Sequence, residues 1–312
     1  MRLDRRSFLG TGLRAGAGGW LGGWALRAGL GAGAVAGSSW LLSGCGDDGA
    51  GDGDGGDSGS SASGFVLVNR FPNTALVPGK NRLAVSLAKP DGTILSEGPD
   101  VLAGKVVTQD GADVTTFTAT RHGESIGLPY WPITVQIDQP GIYALDVDGA
   151  QGEPTAFQVF EQVVVASPTP GQPLPPFHTP TVDDARGVDP ICTLTPDPCP
   201  FHAMTLTDAL AAGKPVVYLI GTPAHCQTGT CGPGLEYLVT VAPEFAERAT
   251  FVHAEVYTDD TANDVAPAVT ALNLVYEPVI YVTDAAGTVV DRLDIVWDQT
   301  ELGAFLSANL PA

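Results

Sequence analysis

Basic residues are scarce in this chain: 15 lysines and arginines stand against 35 aspartates and glutamates among 312 residues, a formal charge of −20. A surface of that sign repels polyanions, which excludes nucleic acid as a partner, and it offers no basic stripe to anionic lipid headgroups. Long apolar runs are missing too. Beyond the N-terminal segment nothing reaches the roughly 18 residues of a membrane-spanning helix. No Ser-His-Asp series, phosphate-binding glycine loop or paired-carboxylate signature stands out. With only five cysteines and five histidines, each of their positions carries weight. What is present, 44% apolar and 16% charged residues, is a globular composition, and the length suggests two folded domains.

The few cations are unevenly placed. Residues 1–44 hold Arg2, Arg5, Arg6, Arg14 and Arg27 with one acid, Asp4, so residues 45–312 carry 10 basic and 34 acidic groups, −24. A basic start, an apolar middle and a small-residue end make an export signal of residues 1–44. Arg5, Arg6, Phe8 and Leu9 resemble the twin-arginine signal, with a departure at Gly10, where lysine is common. Leu42-Ser43-Gly44-Cys45 resembles a bacterial lipobox. That resemblance implies cleavage before Cys45, a diacylglycerol on its thiol, and anchoring to the outer side of a bacterial membrane. Each buried CH₂ of such a chain is worth about 0.8 kcal/mol. Residues 46–63 contain five aspartates among Gly, Ser and Ala. They bury nothing, so residues 45–64 read as a flexible tether with an end-to-end distance of about 24 Å.

From residue 65 to 162, short alternating runs are separated by turn residues. Arg82–Leu87 runs into Pro90-Asp91-Gly92, Ile133–Ile137 stops at Pro140-Gly141, and Ile142–Val147 restarts the alternation. Val114–Ala119 and Ala156–Phe160 are further strands. About seven strands in 98 residues predict an antiparallel β-sandwich. Tyr143, entering a strand, resembles the tyrosine corner of immunoglobulin-like domains. Residues 163–200 are dense in proline and predict an extended joint. In residues 201–312 the types alternate. A short helix Leu206–Ala212 with Thr205 as its N-cap precedes a fully apolar run, Pro215–Ile220, that reads as a strand covered on both faces. A helix from about Cys231 to Arg248 and a strand Phe251–Tyr257 follow. Then come a helix near Val265–Leu272, strands Val279–Thr283 and Val289–Val296, and a helix Thr300–Asn309.

That order, with Cys226 and Cys231 where the first strand meets its helix and Pro278 before a later strand, resembles the thioredoxin-like family. The expected fold class is therefore β + α/β, an immunoglobulin-like β-sandwich followed by a thioredoxin-like α/β domain. The resemblance implies a redox pair with Cys226 as nucleophile and Cys231 as resolver, and Pro278 as a cis-proline that holds a substrate backbone. Partners would be extracytoplasmic protein thiols or disulfides, with no cofactor. The departures are four residues between the cysteines, where two are usual, and His225 in place of a tryptophan. A thiol at a helix start gains thiolate character, the attacking species in exchange. A static disulfide across the same loop is the alternative.

Setting aside the lipidated Cys45 leaves four cysteines. Cys192 and Cys199, with six residues between them, read as a local disulfide pinning the proline-rich segment. His202, His225 and His253 are the candidates for a metal. Two cysteines and a histidine on such a core resemble the copper chaperones of oxidase assembly, but the cysteine spacing differs, so no metal is expected. His253 reads as a packed residue in its strand.

Overall fold

The structure, a computed structural model, describes residues 64–312. The residues read above as an export signal (Arg5 and Arg6), a lipidation site (Cys45) and most of a tether lie outside the described residues. Among the described residues no helix is long and apolar enough to cross a membrane.

Seven strands build two antiparallel sheets: β1 Val66–Asn69, β2 Gly79–Ala88, β3 Val101–Thr108, β4 Asp113–Thr120, β5 Trp131–Ile137, β6 Gly141–Val147 and β7 Thr155–Val159. One sheet has the order β1-β2-β5, the other β4-β3-β6-β7. Alternation places Trp131, Ile133, Val135 and Ile137 of β5 inward, against Leu145, Val147, Phe157 and Val159 of the facing sheet. The result is a β-sandwich. Tyr143 donates its hydroxyl to the Gln139 carbonyl at 2.9 Å, closing the corner before β6.

β2 is buried on both faces from Leu83 onward, although its sequence alternates. Leu83, Val85 and Leu87 enter the sandwich core, while Ala84 packs with Tyr130 and with Val296, which belongs to the second half of the chain. Arg82 continues that outer face. Its guanidinium makes two bonds to Glu301, 2.6 and 2.8 Å, and one to the Val296 carbonyl at 2.7 Å. Asp298 accepts from the Gly123 amide at 3.0 Å and faces His122 Nδ1 at 3.0 Å. The polar face of β2 is thus a contact between the two halves of the chain.

The second half runs α1 Leu206–Ala211, β8 Val216–Ile220, α2 Cys231–Phe245, β9 Thr250–Ala254, α3 Pro267–Ala271, β10 Val279–Thr283, β11 Val289–Asp294 and α4 Gln299–Asn309. Caps set these helices. Thr205 accepts from the Asp208 amide at 3.1 Å and Asp298 from the Glu301 amide at 2.8 Å. Pro267 opens α3, and Gly213, with φ of 67°, turns the chain after α1. Pro243 does not end α2, which continues to Phe245. The sheet order is β11-β10-β8-β9, with β8 parallel to β9 and antiparallel to β10. One parallel crossover therefore joins β8 to β9, and a hairpin joins β10 to β11.

Alternation divides the core of this sheet. Val216, Tyr218 and Ile220 pack toward α1 and α3, while Val217 and Leu219 pack toward α2 and α4. Residues 168–200 contain no helix or regular strand, as their prolines require, yet they are not a loose joint. Leu174 and Val188 are buried, and Cys192, Cys199 and Phe201 complete the core on the α2 side of the sheet.

Candidate functional site

The loop between β8 and α2 holds the first cluster. Cys226 and Cys231 are disulfide-bonded. Cys226 is not part of a helix: α2 begins at Cys231, five residues later. Its sulfur nevertheless faces the helix start, accepting from the Cys231 amide at 3.2 Å, and lies 3.1 Å from Thr228 Oγ1. That amide is one of the unpaired N–H groups of a helix N-terminus, the positive end of the dipole. Cys226 is half-buried and Cys231 fully buried, so an incoming group meets Cys226 first.

Pro278 follows a cis peptide bond and sits across Gly221 from Cys231. A methyl group added at Gly221 would lie 3.2 Å from the Pro278 Cβ and 3.6 Å from the Cys231 Cβ, which fixes how closely the three backbones approach. Glu277, the residue before Pro278, is a member the sequence alone did not single out. Its Oε2 accepts from the Thr222 amide at 3.1 Å and lies 3.7 Å from the Cys231 sulfur. Burial pushes its carboxyl up to about 8, against the Thr222 hydrogen bond and helped by the charge of Glu255. Its one signal in the sequence is adjacency to Pro278. His225 packs edge-on against Tyr257, with ring centroids 5.9 Å apart.

The second cluster corrects an expectation. Cys192 and Cys199 are free thiols rather than a disulfide. Across the six intervening residues, Cys192 Sγ accepts from the Cys199 amide at 3.3 Å. Both sulfurs meet two histidines. Cys199 Sγ lies 3.5 Å from His253 Nδ1, and His202 Nε2 lies 3.1 Å from the same nitrogen. His253 occupies the α2-facing side of β9, opposite to Val252 and Ala254, which is why a strand histidine reaches a segment 54 residues earlier. Its Nε2 is 3.0 Å from the Gly221 carbonyl, so Nε2 carries the proton and Nδ1 presents its lone pair to the sulfurs. The four donor atoms all lie within 4.8 Å of one another, and all four residues are buried. The Cys192 thiol is held far below its ordinary range, first by the hydrogen bond from Cys199 and then, against burial, by His202 and His253.

The metal candidates thus separate: His202 and His253 gather at Cys192 and Cys199, and His225 stays on the other loop. The spacing Cys-x₂-His at Cys199 and His202 was the available sequence signal for this cluster. No family model and no curated protein matches the chain. Among solved structures, the crystal structure of the Lin-41 filamin domain is similar at 23% identity and a TM-score of 0.22, over 33% of this chain and 98% of that one.

Proposed function

We propose that this chain is an exported, lipid-anchored protein whose immunoglobulin-like sandwich carries a thioredoxin-like domain that exchanges thiols and disulfides on extracytoplasmic proteins. One observation carries the reading: a cysteine bridge at the mouth of α2 whose first sulfur is partly exposed and whose second is buried against a carboxyl. The element order α1-β8-α2-β9-α3-β10-β11-α4 and the place of Pro278 support the thioredoxin-like assignment. Arg5, Arg6 and Cys45 support export and anchoring.

In the reduced protein, the Cys226 thiolate attacks one sulfur of a substrate disulfide. The S–S bond breaks, a substrate thiolate leaves, and a mixed disulfide forms. Cys231 then gives its proton to Glu277 in its ionised form, the minor one below about pH 8, and attacks the Cys226 sulfur, expelling the second substrate thiolate. Two electrons pass from the cysteine pair to the substrate, and the Cys226–Cys231 bridge closes again. The reverse sequence oxidises a substrate dithiol. A carboxyl near 8 is matched to an ordinary thiol, so the proton moves either way at little cost. The Cys231 amide steadies the sulfur of Cys226 as a thiolate.

The test is trapping. Cys231→Ser should accumulate a mixed disulfide through Cys226 when given a scrambled or oxidised test protein, and Cys226→Ser should accumulate none. A bridge that resists graded thiol buffers, with no activity on the test protein, would replace this reading with a non-enzymatic envelope lipoprotein whose bridge is structural. A copper-carrying role is disfavoured by the second cluster itself, since donors at most 5% exposed cannot readily hand an ion to a partner.

A further inference from the structure

We propose that Cys192, Cys199, His202 and His253 form a closed, four-coordinate zinc site that fastens the proline-rich segment to the sheet. Zinc bonds of about 2.3 Å to sulfur and about 2.0–2.1 Å to nitrogen imply tetrahedral edges of roughly 3.4 Å between nitrogens and 3.5–3.6 Å between nitrogen and sulfur. The edges here are 3.1 Å for His202 Nε2 to His253 Nδ1 and 3.5 Å for Cys199 Sγ to His253 Nδ1. These two edges match a zinc tetrahedron to within a few tenths of an ångström, and all four donor atoms lie within 4.8 Å of one another.

The surroundings are those of a metal site. The Gly221 carbonyl takes the His253 Nε2 proton and turns the other nitrogen inward. The Cys199 amide donates to Cys192 Sγ at 3.3 Å, a hydrogen bond that supports a ligating thiolate. Beside Cys192, the Thr193 amide and hydroxyl are both held by Glu255 Oε1, at 2.6 and 2.9 Å, which fixes that end of the segment. Four buried donors converge, His202 Nε2 and His253 Nδ1 face each other at 3.1 Å, and the other ring nitrogen of His202 is buried without a hydrogen-bond partner. One divalent ion serves all four, and the two thiol protons leave as it binds.

Charge and coordination select the ion. Two thiolates neutralise a divalent ion, whereas a monovalent copper would leave a net negative charge in a site whose residues are 0–5% exposed. Four protein donors with no open position suit structural zinc rather than a catalytic or a cargo metal. This site is separate from the Cys226–Cys231 bridge, so either assignment stands if the other fails.

The test uses the full-length chain purified under reducing conditions without chelator. Elemental analysis should find about one zinc per chain, and cobalt exchange should give the thiolate-to-cobalt charge-transfer band and the intense visible bands of a tetrahedral site. Cys192→Ser and His253→Asn should each weaken metal retention at least tenfold against a competing chelator, while the Cys226→Ser/Cys231→Ser double variant should keep full stoichiometry. The wild-type cobalt spectrum needs no variant to fold. A Cys192–Cys199 disulfide mapped in the isolated protein would overturn the proposal. So would retention of copper alone, loss of the cobalt bands in the Cys226→Ser/Cys231→Ser variant, or an absence of tetrahedral bands with all thiols reduced.

Discussion

Replacing Glu277 by glutamine tests the buried carboxyl beside Cys231 without changing its shape. The native group holds its proton until about pH 8, whereas in the unfolded chain it ionises near 4.5. Between those values the unfolded state binds fewer protons than the native state, so stability falls as pH rises through the window and levels off above it. Each tenfold difference in proton affinity is worth about 1.4 kcal/mol, so ionising Glu277 costs the fold up to about 5 kcal/mol. Glutamine keeps an oxygen for the Thr222 amide and has no proton to lose. Denaturant unfolding of the oxidised protein, followed by tryptophan fluorescence, should give Glu277→Gln a gain over wild type that grows by several kcal/mol from about pH 5 to about pH 9. Other titrating groups cancel in the difference. A difference that stays constant across that range would show that Glu277 ionises normally and would remove it as the proton partner of Cys231.

Arg82→Met should destabilise by about 3–5 kcal/mol, because it leaves Glu301 largely buried with Tyr130 as its remaining hydroxyl donor; denaturant midpoints measure the loss, and Arg82→Met/Glu301→Met should recover much of it. The hydrogen bond that His122 donates to Asp298 raises His122, against burial, and Asp298 itself is held down at about 2 by His122 and by the Glu301 and Gly123 amides, against burial. The histidine contribution is complete below about pH 6.5 and fades as pH rises through its native value, while the aspartate contribution fades as pH falls below about 4. His122→Ala should therefore cost more stability at about pH 5 than at about pH 9, measured by the same unfolding curves. Gly234→Ala would place a methyl 2.9 Å from the Trp297 ring, so overpacking of about 1–3 kcal/mol should outweigh the helix propensity gained, lowering the melting temperature.

Where burial follows a simple period, the sequence showed it. β5 alternates because one of its faces is core, and β8 and β10 are apolar throughout because both of theirs are. The boundaries of β10 and of α4 at Asn309 came out as expected, each set by a turn or a cap adjoining it. β3 was harder to see: Gly104 interrupts its pattern because an added side chain there would meet the Asp146 carbonyl at 2.4 Å. The outer face of β2 looked solvent-bound because Arg82 and Ser86 are polar, whereas their partners, Glu301 and the Pro129 carbonyl, lie far along the chain. The same limit hid the second cluster. Cys192 and Cys199 by themselves look like a local bridge, and only the register of β9 shows that His253 arrives between them and His202.

The two clusters meet at one residue. Gly221 ends β8, and its carbonyl orients His253 toward the sulfurs of Cys192 and Cys199. A Cβ added at Gly221 would crowd Pro278 at 3.2 Å and touch Cys231 at 3.6 Å. Thr193, next to Cys192, ties the same loop a second time, since its hydroxyl accepts from the Ala224 amide at 3.1 Å, two residues before Cys226. The β8–α2 loop is therefore held at both ends of its first half, by His253 and by Thr193, the neighbour of Cys192. A loop that presents one sulfur and hides another needs its backbone fixed to within a few tenths of an ångström, and short glycine-containing loops do not supply that rigidity alone. Here the proline-rich segment supplies it, folded back over the sheet and fastened through His253, so the segment is part of the frame that positions Cys226.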